Sequence, residues 1–159
     1  MKFRAILFAA GLAAVSGCVQ TVSLQTPFDP AQHEYAIKPG KATVTGQAFM
    51  RRNDGIVVYA AGSPVYLLPD TAYTREIYSK GTNSYGPINL ANADQRLVAY
   101  SRKGQADGEG RFSFSGVPDG GYLIVTGVTW MAGDSRQGGD LTQWITVAGG
   151  QDVNAIISR

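Results

Sequence analysis

The chain has a single cysteine, a single histidine and no apolar run long enough to cross a bilayer. Each shortage closes off a class of function. With Cys18 as the sole thiol, there is no internal disulfide and no cysteine-built metal cluster. The sole histidine, His33, falls in a polar, proline-bearing stretch and not in the patterned part of the chain. A Ser-His-Asp triad or a histidine zinc site would need it inside a domain, so neither is expected. The longest apolar run, residues 5–14, follows Lys2 and Arg4. About ten helical residues rise roughly 15 Å, half of a bilayer core, which suits the h-region of a secretory signal. Charge is also sparse, at 16% of residues, with 14 basic against 12 acidic side chains. Lys2 and Arg4 belong to the leader, and without them the two signs are equal. The basic excess that a nucleic-acid surface needs is therefore missing.

The leader ends in Val15-Ser16-Gly17-Cys18, which resembles the lipobox of bacterial lipoproteins. That chemistry needs a thiol to accept a diacylglyceryl group, with small residues before it. Ordinary secretory cleavage also fits Val15 and Gly17, but the only thiol stands at the lipidation position, which favours lipidation. Several acyl chains on Cys18 would hold the protein stably at a membrane. Val19 follows, where Asp would signal inner-membrane retention, so the outer membrane is the expected location. The expected organisation is a signal peptide over 1–17, a lipidated tether over 18–40 and a β-sandwich domain over 41–159. Extended, some 20 residues of tether would reach about 60–70 Å. Within the tether, residues 35–37 are the part expected to be able to pack on the domain.

Beyond residue 41 the pattern alternates with period two. Strands are expected over 42–50, 56–60, 64–68, 96–102, 111–115, 122–130, 141–147 and 153–158. The organising stretch is 107–130: a turn at Asp107-Gly108-Glu109-Gly110, an aromatic strand with Phe112 and Phe114 on one face, a second turn at 117–121, then a long β-branched strand. It reads as a hairpin at the centre of an antiparallel sheet. Asp54-Gly55 and Gly149-Gly150 read as further hairpin bends, and 132–139 as a turn region. Residues 70–94 break the alternation. Asp70 or Thr71 would cap a short helix with Tyr73, Ile77 and Tyr78 on one face, and 81–94 would be irregular.

Two phrases carry a family resemblance. One comprises Asp107, Gly110, Phe112, Phe114, Val117, Pro118, Gly121 and Tyr122; the other is Gly62-Ser63-Pro64-Val65-Tyr66-Leu67-Leu68-Pro69. Together they resemble the carboxypeptidase regulatory-like domains, over about residues 41–158. The resemblance implies an all-β, transthyretin-like (prealbumin-like) antiparallel sandwich, here with a helix-and-loop insertion. It also implies an accessory or adhesive module without catalysis. The hydroxyisourate hydrolases of the same fold use core histidines and a Tyr-Arg-Gly-Ser ending. This chain lacks both, ending Ile157-Ser158-Arg159.

The chain offers few chemical constellations. Asp107, Glu109 and Asp119 cluster at strand ends, but without calcium-loop spacing they read as turn residues, as do Asp134 and Asp140. No metal or cofactor is expected, and nothing selects a carboxylate pair for glycoside hydrolysis. Tyrosine is the enriched residue: Tyr73, Tyr78, Tyr85 and Tyr100 lie in or beside the insertion. Tyr73, Tyr78 and Tyr85 are candidate partner-binding residues, since tyrosine joins a rigid apolar face to a polar tip. Equally, Tyr73 and Tyr100 could simply cover the sheet. Trp130 and Trp144 read as core or sheet-face residues. The leading expectation is a non-catalytic outer-membrane lipoprotein presenting a binding or assembly module to an envelope protein or a neutral glycan. The alternative is an envelope hydrolase of glycans or peptides that uses carboxylates in the insertion.

Overall fold

The computed structural model describes residues 20–83 and 88–159, so the proposed lipidation site Cys18 and candidate Tyr85 lie outside the described residues. In chain order the elements are β1 (Gln20–Val22), α1 (Pro30–His33) running into a 3-10 turn (Glu34–Ile37), β2 (Ala42–Arg51), β3 (Val57–Tyr59), β4 (Pro64–Pro69), α2 (Ala72–Thr82) and β5 (Ile88–Leu90). A 3-10 helix (Gln95–Tyr100) follows, then β6 (Arg102–Gln105), β7 (Arg111–Val117), β8 (Gly120–Ala132), β9 (Ser135–Val147) and β10 (Val153–Ser158).

Two sheets form an all-β sandwich. In the first, β2 is central: β10 lies parallel along one edge, while β7 and then β3 lie antiparallel along the other. The second sheet runs β6-β4-β8-β9, antiparallel throughout. The alternation read from the sequence places every second side chain between the sheets. Val44, Ala48, Phe112, Phe114 and Ile157 come from one side; Val65, Leu67, Tyr122, Ile124 and Leu141 come from the other. Two glycines make room for the Phe rings. A Cβ on Gly46 would sit 2.4 Å from Cζ of Phe112, and one on Gly104 would sit 3.2 Å from Cε1 of Phe114.

The stretch 107–130 is organising, but it is not a hairpin. β7 pairs with β2 and β8 with β4, so Pro118-Asp119 carries the chain from one sheet to the other. Gly149-Gly150 likewise joins β9 to β10 across the sandwich. Alternation reports which face a residue takes, and says nothing of which strand lies beside it. The Asp54-Gly55 hairpin is present, with Phe49 opposite Tyr59 and Arg51 opposite Val57. The expected strand over 96–102 is instead the 3-10 helix. Asp94 caps it by accepting the Arg96 N–H at 2.9 Å, and Ser101 Oγ donates to the Leu97 carbonyl at 2.7 Å. The expected turn region 132–139 is mostly strand: Ala132 pairs with Ser135, leaving Gly133-Asp134 as the bend, with Gly133 at φ 60°.

Residues 20–40 are built into the molecule, which revises the free tether expected there. β1 pairs in parallel with β5, Gln20 opposite Ile88 and Val22 opposite Leu90. Asn92 clamps Leu24, accepting its N–H at 2.7 Å and donating to its carbonyl at 2.9 Å. The Glu76 carboxylate on α2 accepts the N–H groups of Gln25 (2.8 Å) and Thr26 (2.7 Å). Asp29 caps α1 with Pro30 as its first residue. His33 is fully buried and stacks on Phe28, ring centroids 4.4 Å apart. Its Nδ1 lies 2.7 Å from the Asp29 carbonyl oxygen, and its Nε2 lies 3.1 Å from Thr71 Oγ1.

Candidate functional site

A groove of about 1080 Å³ runs between α2 and the outer face of the second sheet. Its floor follows from strand alternation. Val65 and Leu67 point into the core, so Tyr66 and Leu68 of β4 point out. Register then sets their neighbours: Tyr66 faces Val125, Leu68 faces Leu123, and Val125 faces Thr142 on β9. These residues share one surface, an apolar stripe with hydroxyls on its flank.

The wall is α2. Thr71 caps it, its Oγ1 accepting the Thr74 N–H at 3.2 Å. Helical spacing then brings Thr74, Ile77, Tyr78, Gly81 and Thr82 to the groove. Leu97 of the 3-10 helix also lines it, and Asp140, Gly138, Ser158 and Arg159 close the far end. Tyr78 meets Trp144 edge-to-face, ring centroids 5.6 Å apart. Arg75 lies over the same indole at 4.7 Å, and the Asp70 carboxylate grips its guanidinium through two 2.6 Å hydrogen bonds. That pairing raises Arg75 above its ordinary range. On the floor, the Lys103 ammonium sits 5.7 Å from the Tyr66 ring.

Of the candidate residues, the structure brings Tyr78 to the groove. Tyr73 is 2% exposed, and its hydroxyl accepts the Asp94 N–H at 2.5 Å, so it organises the insertion and presents no surface to a partner. Tyr85 is outside the described residues. Tyr100 packs with Phe28 and His33. Trp144 is on the outer sheet face, whereas Trp130 is half-buried against the core.

Of the acidic residues singled out earlier, Asp107 and Asp119 hold turns, whereas Asp140, expected at a turn, lies within β9 opposite Gly127. Asp107 accepts the N–H groups of Glu109 (2.8 Å) and Arg111 (2.9 Å), and Glu109 pairs with Arg111. Asp119 accepts those of Gly149 and Gly150, tying the crossing from β7 to β8 to the crossing from β9 to β10. Among the described residues no three His, Cys, Asp or Glu side chains gather as a metal site. Tyr66, Thr142 and Asp140 were not anticipated. An aromatic at an outward position of an alternating strand was the signal available for Tyr66.

No family model and no curated protein matches this chain. Among solved structures, a "putative carbohydrate binding protein" from Pseudomonas aeruginosa superposes with a TM-score of 0.74 at 24% identity, over 84% of this chain and 99% of that one. A 9R-lipoxygenase from Cyanothece matches at a TM-score of 0.31 over 17% of its chain, too weak a likeness to bear on the fold. At these identities the first likeness speaks to the fold, and it places this chain among β-rich sandwiches of the same architecture.

Proposed function

We propose that the protein is a non-catalytic binding module of the bacterial cell envelope, lipid-anchored through Cys18 at the outer membrane, whose groove accommodates a neutral glycan chain. The observation that carries this reading is the lining of the groove. Tyr66 and Tyr78 offer aromatic surface to the C–H faces of sugar rings, while Thr74, Thr82, Thr142 and Asp140 offer hydroxyl and carboxylate partners at its edges. Sugars present this same alternation of apolar face and polar rim. The name carried by the Pseudomonas neighbour points the same way.

Retention is favoured over cleavage by the composition of the groove. Among the described residues that line it Asp140 is the one side-chain carboxylate, and glycoside hydrolysis ordinarily employs two. His33 has both ring nitrogens engaged in the interior and is not offered as a base. Calorimetric titration of the full-length protein in nonionic detergent with maltohexaose, cellohexaose and chitohexaose tests the reading. Binding of at least one glycan is expected, weakened by Tyr66→Ala and Tyr78→Ala with no sugar released. Failure of all three to bind, or affinities indifferent to both substitutions, would overturn it.

A further inference from the structure

A second cleft, of about 510 Å³, opens at the end of the sandwich where the tips of β2, β8 and β9 meet Arg159. Its composition differs from that of the groove. The floor is apolar: Met50 from one sheet and Trp130 from the other, the latter opposite Gln137 in the β8–β9 register. Three arginines, Arg51, Arg52 and Arg159, also line the cleft. Beside them are Asp54, already held by Arg52 at 2.6 Å, and the Arg159 main-chain oxygen, which accepts the Arg51 N–H at 3.1 Å. Among the described residues neither the Arg51 nor the Arg159 side chain has an ion-pair partner. Two arginines without an ion-pair partner among the described residues thus line the same cleft as a half-buried indole.

We propose that this cleft is a binding site for a carboxylated sugar, a uronic acid unit of a glycan chain. The indole offers a flat apolar surface to the ring, and the Gln137 amide a partner for its hydroxyls. A planar guanidinium matches a carboxylate with two parallel hydrogen bonds, which an ammonium cannot do. The position of the cleft strengthens the case. Gly138 and Arg159 line both cavities, so the arginine-lined cleft continues from the far end of the groove. A chain whose neutral units lie in the groove could therefore place an acidic unit at Arg51. This step rests on the glycan reading of the groove for the identity of the ligand. The two sites are tested by residues that they do not share.

The experiment titrates the full-length protein in nonionic detergent with trigalacturonate, maltotriose and inorganic phosphate, at low and at raised salt. Trigalacturonate should bind more tightly than maltotriose and lose affinity with salt. Arg51→Ala should weaken it about tenfold or more, the scale of one charge-assisted contact. Arg51→Lys keeps the charge but loses the fork, and should restore only part of the affinity. Trp130→Phe should weaken trigalacturonate while thermal unfolding shows the fold intact; Tyr78→Ala should spare the contribution of Arg51. Equal affinity for the acidic and neutral trimers would overturn the proposal, as would indifference to Arg51→Ala. Phosphate binding as tightly and displacing the sugar would mark an adventitious ion only, and would also overturn it. If instead maltotriose fails to bind while the Arg51 effect persists, the site at Arg51 stands independently of the groove.

Discussion

Tyr78 on α2 and Trp144 on β9 lie edge-to-face with ring centroids 5.6 Å apart, joining the insertion to the edge strand of the second sheet. Such a contact contributes about 0.5–1.5 kcal/mol beyond the area it covers. A double-mutant cycle on thermal unfolding with Tyr78→Ala and Trp144→Ala should return a coupling of that size. Tyr78→Ala alone should lower stability by no more than about 1 kcal/mol, as expected of a surface position, yet weaken glycan binding. Collapse of the fold in that variant would move Tyr78 out of the binding surface.

Phe112→Ala and Phe114→Ala should each destabilise by about 3–5 kcal/mol, since both rings are nearly buried and each would leave a cavity. Gly46→Ala attacks the same packing from the opposite side, because its Cβ would meet the Phe112 ring, and should cost about 1–3 kcal/mol. Urea midpoints of the three variants decide the matter; a Gly46→Ala midpoint equal to wild type would show that the Phe112 ring can give way.

Glu76 is held below the ordinary carboxylate range, first by the Gln25 N–H and then by hydrogen bonds from Thr26. A carboxylate depressed by folding contributes stability that is fully present above its unfolded pKa and is lost as pH falls through the folded one. Acidification below the usual glutamate range should therefore loosen residues 20–26 while the sandwich persists. Amide chemical shifts of Gln25 and Thr26, followed by NMR against pH, should titrate together. Glu76→Gln should leave little of that titration, and its persistence in the variant would identify another group as its source.

Tyr73→Phe should cost about 1 kcal/mol by leaving the Asp94 N–H without its acceptor, and should leave glycan affinity unchanged. Loss of affinity at constant stability would return Tyr73 to the binding surface. Cys18→Ser, by contrast, should move the protein from the detergent phase to the aqueous phase with the thermal transition unaltered.

The sandwich was legible because alternation survives in the sequence almost unbroken. β2, β4, β7, β8 and β10 fall within a few residues of where the pattern places them. Pairing was not legible. Phe112 and Tyr122 look like the two arms of one hairpin, yet they line opposite sides of the core, because a tight turn can reverse a strand within a sheet or send it across to the other. The N-terminal segment was misread for a different reason. Its anchors are Asp29 as a cap, Asn92 and Glu76 as clamps and His33 beneath Phe28, and hydrogen bonds between distant residues leave no periodic trace. Tyr78 could be found as an aromatic in an insertion. Arg51, Trp130 and Arg159 could not be grouped in advance, since they meet where the ends of separate strands converge.

The parallel pairing of β10 with β2 bears on the order in which the molecule can assemble. Val153–Ser158 lies along residues 44–49, more than a hundred positions earlier in the chain. Loop closure over that separation must be completed before Ala155 and Ile157 can take their places in the interior. A chain emerging N-terminus first thus carries one edge of β2 unpaired until Val153–Ser158 has been made. During synthesis that exposed edge is where a nascent chain would be most open to pairing with a neighbour, and the arrival of β10 closes the period of risk.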